Sequence, residues 1–119
     1  MALRCFLQAK LHRVTLTEAN VNYKGSVGIC PELLEASGLK PNEQVDVYNV
    51  HNGNRLTSYI LESEPGHITL NGAAALLGAA GQEVIIAAYT WLSEEELEKH
   101  EPTVVLVDSK NRVETVKKG

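Results

Sequence analysis

Ser26, His12 and Asp46 supply the three residue types of a nucleophilic triad, and Gly25–Ser26 within YKGS sets a hydroxyl directly after a residue with no Cβ. A chain of 119 residues contains Ser, His and Asp by default, so the triad types alone carry no information. By itself the Gly-Ser pair reads as an ordinary turn, and so does Asn71–Gly72 in LNGAAA. Arg55 offers the planar guanidinium that suits a carboxylate, and Lys10 a second cation. Arg55 and Tyr59 are four residues apart, roughly 13 Å on a straight strand, so their long side chains can converge on a small ligand. By themselves they read as a solvated hairpin residue and a half-buried strand aromatic. The chain has no GxGxxG, GKS/GKT, HExxH or GxSxG segment. Cys5 and Cys30 lie outside any CxxC or Cys/His spacing, which argues against both a zinc site and a disulfide framework.

These residues must be positioned by short strands. Apolar residues alternate at Leu3, Cys5, Leu7, Ala9 and Leu11 and resume at Val14 and Leu16, so parity switches between 11 and 14 and a bulge is expected there. Lys10 and His12 then share the face opposite Leu11. A turn over Asn22–Ser26 leads into a strand at Val27–Ile29, and Pro31 opens a helix, PELLEAS, that Gly38 closes. QVDVYNV and RLTSYIL flank HNGN, a strong hairpin signal. A two-residue Asn52–Gly53 turn would pair Val50 with Arg55, Tyr48 with Thr57 and Asp46 with Tyr59, leaving Val45, Val47, Leu56 and Ile60 on the other face. After EPGH come the strand ITL, a short helix AAALLG and the strand QEVIIAAYT. Ser93 and Glu96 form a capping box for SEEELEKH, ended by Pro102, and TVVLV and RVETV form a last hairpin across DSKN. The recurrence of helix, Gly, polar loop and apolar strand in LLEASGLKPNEQVDVY and LLGAAGQEVIIAAY suggests two related halves. Many short strands with small helices indicate a mainly β, barrel-like single domain over residues 1–119.

Composition narrows the partners. Eleven Lys and Arg against fifteen Asp and Glu leave a net charge of −4, and the basic residues are scattered, which argues against nucleic acid. The longest strongly apolar run, VIIAAY, falls far short of the roughly 20 residues that cross a bilayer, and MALRCFLQAKLHR lacks a signal-peptide core, so no membrane partner and a cytoplasmic location are expected. Aromatic residues make up 5% of the chain and provide few large core anchors, so association with further copies would help.

The segments KLHRVTLTEANVNYKGS, VYNVHNGNRLTSY, LNGAAA and TVVLVD resemble those of the aspartate 1-decarboxylase family, small pyruvoyl-dependent enzymes that make β-alanine for pantothenate and coenzyme A. The resemblance extends over nearly the whole chain. It implies a double-psi β-barrel with short helices, assembled as a homotetramer with active sites between subunits. It further implies self-cleavage between Gly25 and Ser26 into chains 1–25 and 26–119, leaving a covalent pyruvoyl group derived from Ser26, with no metal and no PLP. Loss of CO2 from L-aspartate leaves an electron pair that no ordinary side chain can accept, so an electrophilic carbonyl must be made.

The resemblance also distributes roles. Ser26 becomes the pyruvoyl precursor and Schiff-base site, and Tyr59 the proton donor. Gly25, Ser58 and Asn71 support cleavage, Asn71 also supporting the site. Arg55 and Lys10 bind substrate carboxylates, with Gly72, Ala73 and Ala74 as a small-residue wall offering amide donors; His12 and Tyr23 correspond to positions near the site, where packing is an equal alternative. Three features depart from the relatives. Ser58 stands where they usually carry Thr, Cys30 where an Asp would cap the PELLEAS helix, and the EPGH loop is shorter than in some. A maturation factor is left open. Two other readings remain: an uncleaved barrel acting as a binding or assembly module, and a serine hydrolase using Ser26.

Overall fold

The parity switch in the first apolar run becomes a bulge in β1 (Arg4–Thr15): its register against β7 (Glu83–Leu92) shifts between Leu11 and Val14, where Arg13 takes φ 59°. A second shift, between Leu7 and Ala9, had no signal in the alternation. The computed structural model describes residues 2–119, and Met1, at the start of the expected domain, lies outside them. Between these strands come β2 (Glu18–Asn20), β3 (Ser26–Ile29), α1 (Pro31–Ser37), β4 (Gln44–Asn49), β5 (Arg55–Glu62), β6 (Ile68–Asn71) and a 3-10 helix over Gly72–Leu77. After β7 follow α2 (Glu94–Leu97), β8 (Thr103–Val107) and β9 (Val113–Lys118). The strands form one mixed sheet in the order β2-β6-β3-β5-β4-β7-β1-β8-β9. It has parallel pairs at β2/β6, β3/β5 and β1/β8, and curls around the core into the barrel-like arrangement of a double-psi β-barrel.

Leu11, Val14, Leu16, Val27, Ile60 and Ile86 are among the fully buried side chains at the centre. The start of β1 departs from the expected pattern. Leu3 and Cys5 are exposed, because this end of the β1–β7 ribbon extends beyond the core and carries Trp91, 64% exposed, opposite Cys5. The two halves suggested by sequence end in β4 and β7, which pair antiparallel, as a two-fold relation requires.

Local chemistry explains the element ends. Pro31 pre-sets the first helical φ of α1, and Gly38 closes it with φ 79°, its N–H donating to the Leu34 carbonyl. Cys30 occupies the N-cap without a side-chain bond, consistent with the lost cap expected there. Ser93 and Glu96 form the expected capping box, but α2 ends at Leu97, short of the predicted end near Pro102, because residues 94–99 are all exposed and have no apolar face to bury.

The central hairpin forms with a different register. Tyr48 pairs with Arg55, Asp46 with Thr57 and Gln44 with Tyr59, two residues away from the predicted pairing. The ladder stops at Asn49, whose N–H donates to the Asn54 carbonyl, while the Val50 N–H goes to Glu83 on the strand beside it. Asn49, Asn52 and Asn54 all donate side-chain N–H groups to the Leu77 carbonyl, at 3.1, 3.4 and 3.4 Å. The loop is therefore built around the end of the 3-10 helix rather than as a two-residue turn. A shift of two residues preserves face parity, so Val45, Val47 and Ile60 remain buried as expected.

Asn111 ties the last hairpin to the barrel. Buried and at φ 62°, its Oδ1 accepts from Thr15 N–H at 2.8 Å and its Nδ2 donates to the Thr15 and Gly66 carbonyls at 2.9 and 3.0 Å. Asn111→Gly keeps the positive φ without strain but leaves these backbone groups unpaired, so it should lower stability by about 2–3 kcal/mol in urea unfolding. A change below about 0.5 kcal/mol would show that the clamp is dispensable.

Candidate active site

The start of β3 is held against the end of β6. Ser26 pairs with Asn71 in the antiparallel ladder, and both are buried, Ser26 at 0% exposure and Asn71 at 6%. The Ser26 hydroxyl donates to the Lys24 carbonyl at 2.9 Å, and Asn71 Nδ2 donates to Ser26 Oγ at 3.0 Å. One step on, Gly72 adopts φ 65°, and a Cβ there would lie 2.6 Å from Gly25 Cα and 3.1 Å from the Tyr23 carbonyl oxygen. Only a residue without a side chain lets the chain after Asn71 pass this close to Gly25. A buried hydroxyl thus sits between an amide donor and a carbonyl acceptor, directly after an exposed glycine.

β5 supplies the neighbouring wall. The parallel β3/β5 ladder starts at Val27–Ile60, so Ser26 and Gly25 come one and two residues before it on one strand, and Tyr59 and Ser58 one and two residues before it on the other. Tyr59 is 39% exposed, so its phenol faces the open side of the sheet. On that outer face β5 also presents Thr57 and Arg55, β4 presents Asp46 and Tyr48, and β7 presents Ala87 and Tyr89. Lys10 belongs to the same face, but it pairs with Ala87, three strand spacings from Thr57, or about 14 Å. Within one chain the structure therefore gathers Gly25, Ser26, Asn71, Gly72 and the backbone of Tyr23, with Ser58 and Tyr59 alongside. It leaves Lys10 and His12 across the sheet.

Electrostatics separates two openings. A recess of about 290 Å³ beside Asn71 and Tyr23 is lined by Glu18, Glu62 and Glu64 and repels anions. A shallower one of about 250 Å³ is lined by Arg55, Tyr48, Thr57 and Asp46. Among the described residues neither Arg55 nor Lys10 is in an ion pair; the two pairs present are Arg13–Glu83 and Arg112–Glu32. Burial, and then the charges of Lys10 and Arg13, hold the His12 imidazole below its ordinary pKa, with Glu83 opposing weakly. His12 Nδ1 is buried without a partner. Ala73 is exposed, while Ala74 packs against the core.

The nominal Ser26–His12–Asp46 triad is not assembled. Ser26 Oγ contacts a carbonyl and an amide, and Asp46 accepts from Thr57 Oγ1 at 2.6 Å. Sequence reasoning missed Tyr48, whose ring lies under the Arg55 guanidinium with Cζ 4.6 Å from the centroid, and Tyr89, whose hydroxyl meets that of Tyr48 at 2.8 Å. The signal was present in the hairpin, but the two-residue turn assigned Tyr48 to the wrong partner. Among the described residues no cluster of three or more His, Cys, Asp or Glu could hold a metal ion.

The fold and site are those of a small mixed β-barrel that buries a serine between a glycine turn and an asparagine amide. Residues 1–114 match the family model described as aspartate decarboxylase. The aspartate 1-decarboxylase of Bdellovibrio bacteriovorus is 53% identical over 107 residues, covering 90% of this chain and 86% of the relative. Those of a Hydrogenobaculum species and Cupriavidus necator are 50% and 46% identical, covering 97% of this chain and 92% and 98% of theirs. The chain belongs to the aspartate decarboxylase family.

Gly72→Ala combines a left-handed backbone with an overlap against Gly25, and should lower Tm by roughly 10 °C in calorimetry. An unchanged Tm would mean that the 23–25 turn yields freely.

Proposed function

We propose that the chain is a self-processing decarboxylase that converts L-aspartate to β-alanine and CO2, supplying pantothenate and coenzyme A synthesis in the cytoplasm. The observation that carries this reading is the buried Ser26 hydroxyl held by Asn71 directly after Gly25. With its proton directed to the Lys24 carbonyl, Ser26 Oγ keeps lone-pair density for the Gly25 carbonyl carbon. Attack forms the C–O bond and breaks the Gly25–Ser26 C–N bond while the hydroxyl proton passes to the departing nitrogen, giving an ester and a free amine on residue 26. Loss of the residue-26 α proton and cleavage of its Cβ–O bond then release a carboxylate ending at Gly25. Hydrolysis expels ammonia and leaves a pyruvoyl group heading residues 26–119. The Asn71 N–H stabilises negative charge developing at Oγ, and Ser58, two residues before the β3/β5 ladder as Gly25 is, provides a hydroxyl near the bond that breaks.

The residues present fit that group, because the buried cradle is closed by Gly72, where any Cβ would be blocked by Gly25. The group supplies an electrophilic carbonyl that serves as an electron sink when CO2 leaves. The chain's own residues do the rest. Arg55, an unpaired guanidinium on the outer face, grips a substrate carboxylate, and Tyr59, one residue before the β3/β5 ladder as residue 26 is, delivers a proton to the carbon that lost CO2. Lys10 supplies the second cation, and its distance across the sheet favours a site between neighbouring copies in a homotetramer. Leu3 and Trp91, exposed on the projecting ribbon, offer apolar surface for such association. Gly72, Ala73 and Ala74 form the small wall, with His12 and Tyr23 at the margin. A maturation factor could act on the exposed 21–25 turn.

Intact-mass analysis after warm incubation should find two fragments, one ending at Gly25 and one beginning at position 26. Ser26→Ala should remain one inactive chain. Arg55→Ala should still be cleaved yet turn over aspartate roughly 100-fold more slowly or worse, the loss expected for two charge-assisted hydrogen bonds. A fully active preparation of unbroken chain would overturn the proposal.

A further inference from the structure

The corrected hairpin register sets Tyr48 directly opposite Arg55, and the guanidinium lies on the Tyr48 ring, 4.6 Å from Cζ to centroid. We propose that Tyr48 is a positioning residue whose ring is the platform that orients Arg55 toward the substrate carboxylate and so sets the affinity for aspartate. The proposal rests on the reading of Arg55 as the carboxylate clamp.

A guanidinium oriented by a carboxylate would spend its N–H fork on that partner. One oriented by an aromatic face is attracted to the ring quadrupole while its N–H edge stays free. The surroundings of Arg55 keep these alternatives apart. Asp46, the one acid among the described residues lining the recess with Arg55, has both oxygens engaged by hydroxyls: Oδ1 accepts from Thr57 Oγ1 at 2.6 Å and Oδ2 from Tyr48 OH at a longer 3.5 Å. Asp46 forms no ion pair with Arg55; the ion pairs among the described residues lie elsewhere. The platform is itself braced. Its backbone is held on both sides, paired with Arg55 on β5 and Ile85 on β7, and its hydroxyl meets that of Tyr89 at 2.8 Å. Burial, and then the neighbouring Tyr89, raise the Tyr48 pKa. Arg carries large rotamer freedom, and holding it in place before substrate arrives lowers the ordering cost of binding.

The test compares steady-state kinetics of matured enzyme for ring-less variants Tyr48→Leu and Tyr48→Val, the second chosen for its strand propensity, with ring-retaining Tyr48→Phe and Tyr48→Trp. The ring-less variants should mature normally and raise KM for aspartate about two- to five-fold, the size of an exposed cation–π contact, with kcat within two-fold of wild type. Phe and Trp should keep KM within two-fold. An unchanged KM in a matured ring-less variant overturns the proposal, as does Phe behaving like Leu, which would assign the effect to the hydroxyl. Failure of both ring-less variants to mature while Phe and Trp succeed also overturns it, because Tyr48 would then act on folding. These outcomes are separate from failure of the parent reading, which would appear as wild-type chain without aspartate turnover or as Arg55→Ala with full activity.

Discussion

Antiparallel pairing of Ser26 with Asn71 is the constraint on which the site depends. It buries a hydroxyl that would otherwise be solvated, gives it an amide donor at 3.0 Å, and brings the strand end carrying Asn71 so close to the 23–25 turn that position 72 has no room for a side chain. Burial of a polar group is tolerated only when it is hydrogen-bonded, and the Ser26 hydroxyl accepts from Asn71 and donates to the Lys24 carbonyl. The parallel β3/β5 ladder begins one residue on, at Val27–Ile60, with Tyr59 and Ser58 on β5 just before it. The proposed backbone cleavage, carbonyl formation and proton delivery all draw on these three strands.

The outer face of β5, β4 and β7 follows a different logic. Its polar groups are arranged so that hydroxyls satisfy the acid, Asp46, while an aromatic ring supports the base, Arg55. A negatively charged protein that binds a substrate with two carboxylates needs cations not neutralised by its own carboxylates, and among the described residues Arg55 meets that condition. The other opening, next to Asn71, is acidic, so the approach of an anion is favoured from the Arg55 side.

Much of this was legible in the residues. The bulge after Leu11, the Pro31–Gly38 helix, the Ser93 capping box and the two hairpins follow from local rules of backbone and side chain, and they appear where those rules put them. The hairpin register did not, because Asn-Gly chemistry describes an isolated turn, whereas Asn49, Asn52 and Asn54 bond to Leu77, a residue distant in sequence. The exposed start of β1 was equally hidden, since period-two alternation marks one apolar face but not what covers it. Ser26 and Asn71 were singled out through family resemblance. Their mutual contact depends on a long-range strand pairing that neither turn motif encodes.

The most direct test of the central claim is the reaction of purified, active protein with phenylhydrazine, which condenses with ketone carbonyls, followed by mass analysis of each fragment. The account predicts one hydrazone on the fragment beginning at position 26, none on residues 1–25, and loss of aspartate turnover in proportion to labelling. An active preparation that takes up no hydrazine on that fragment would contradict it.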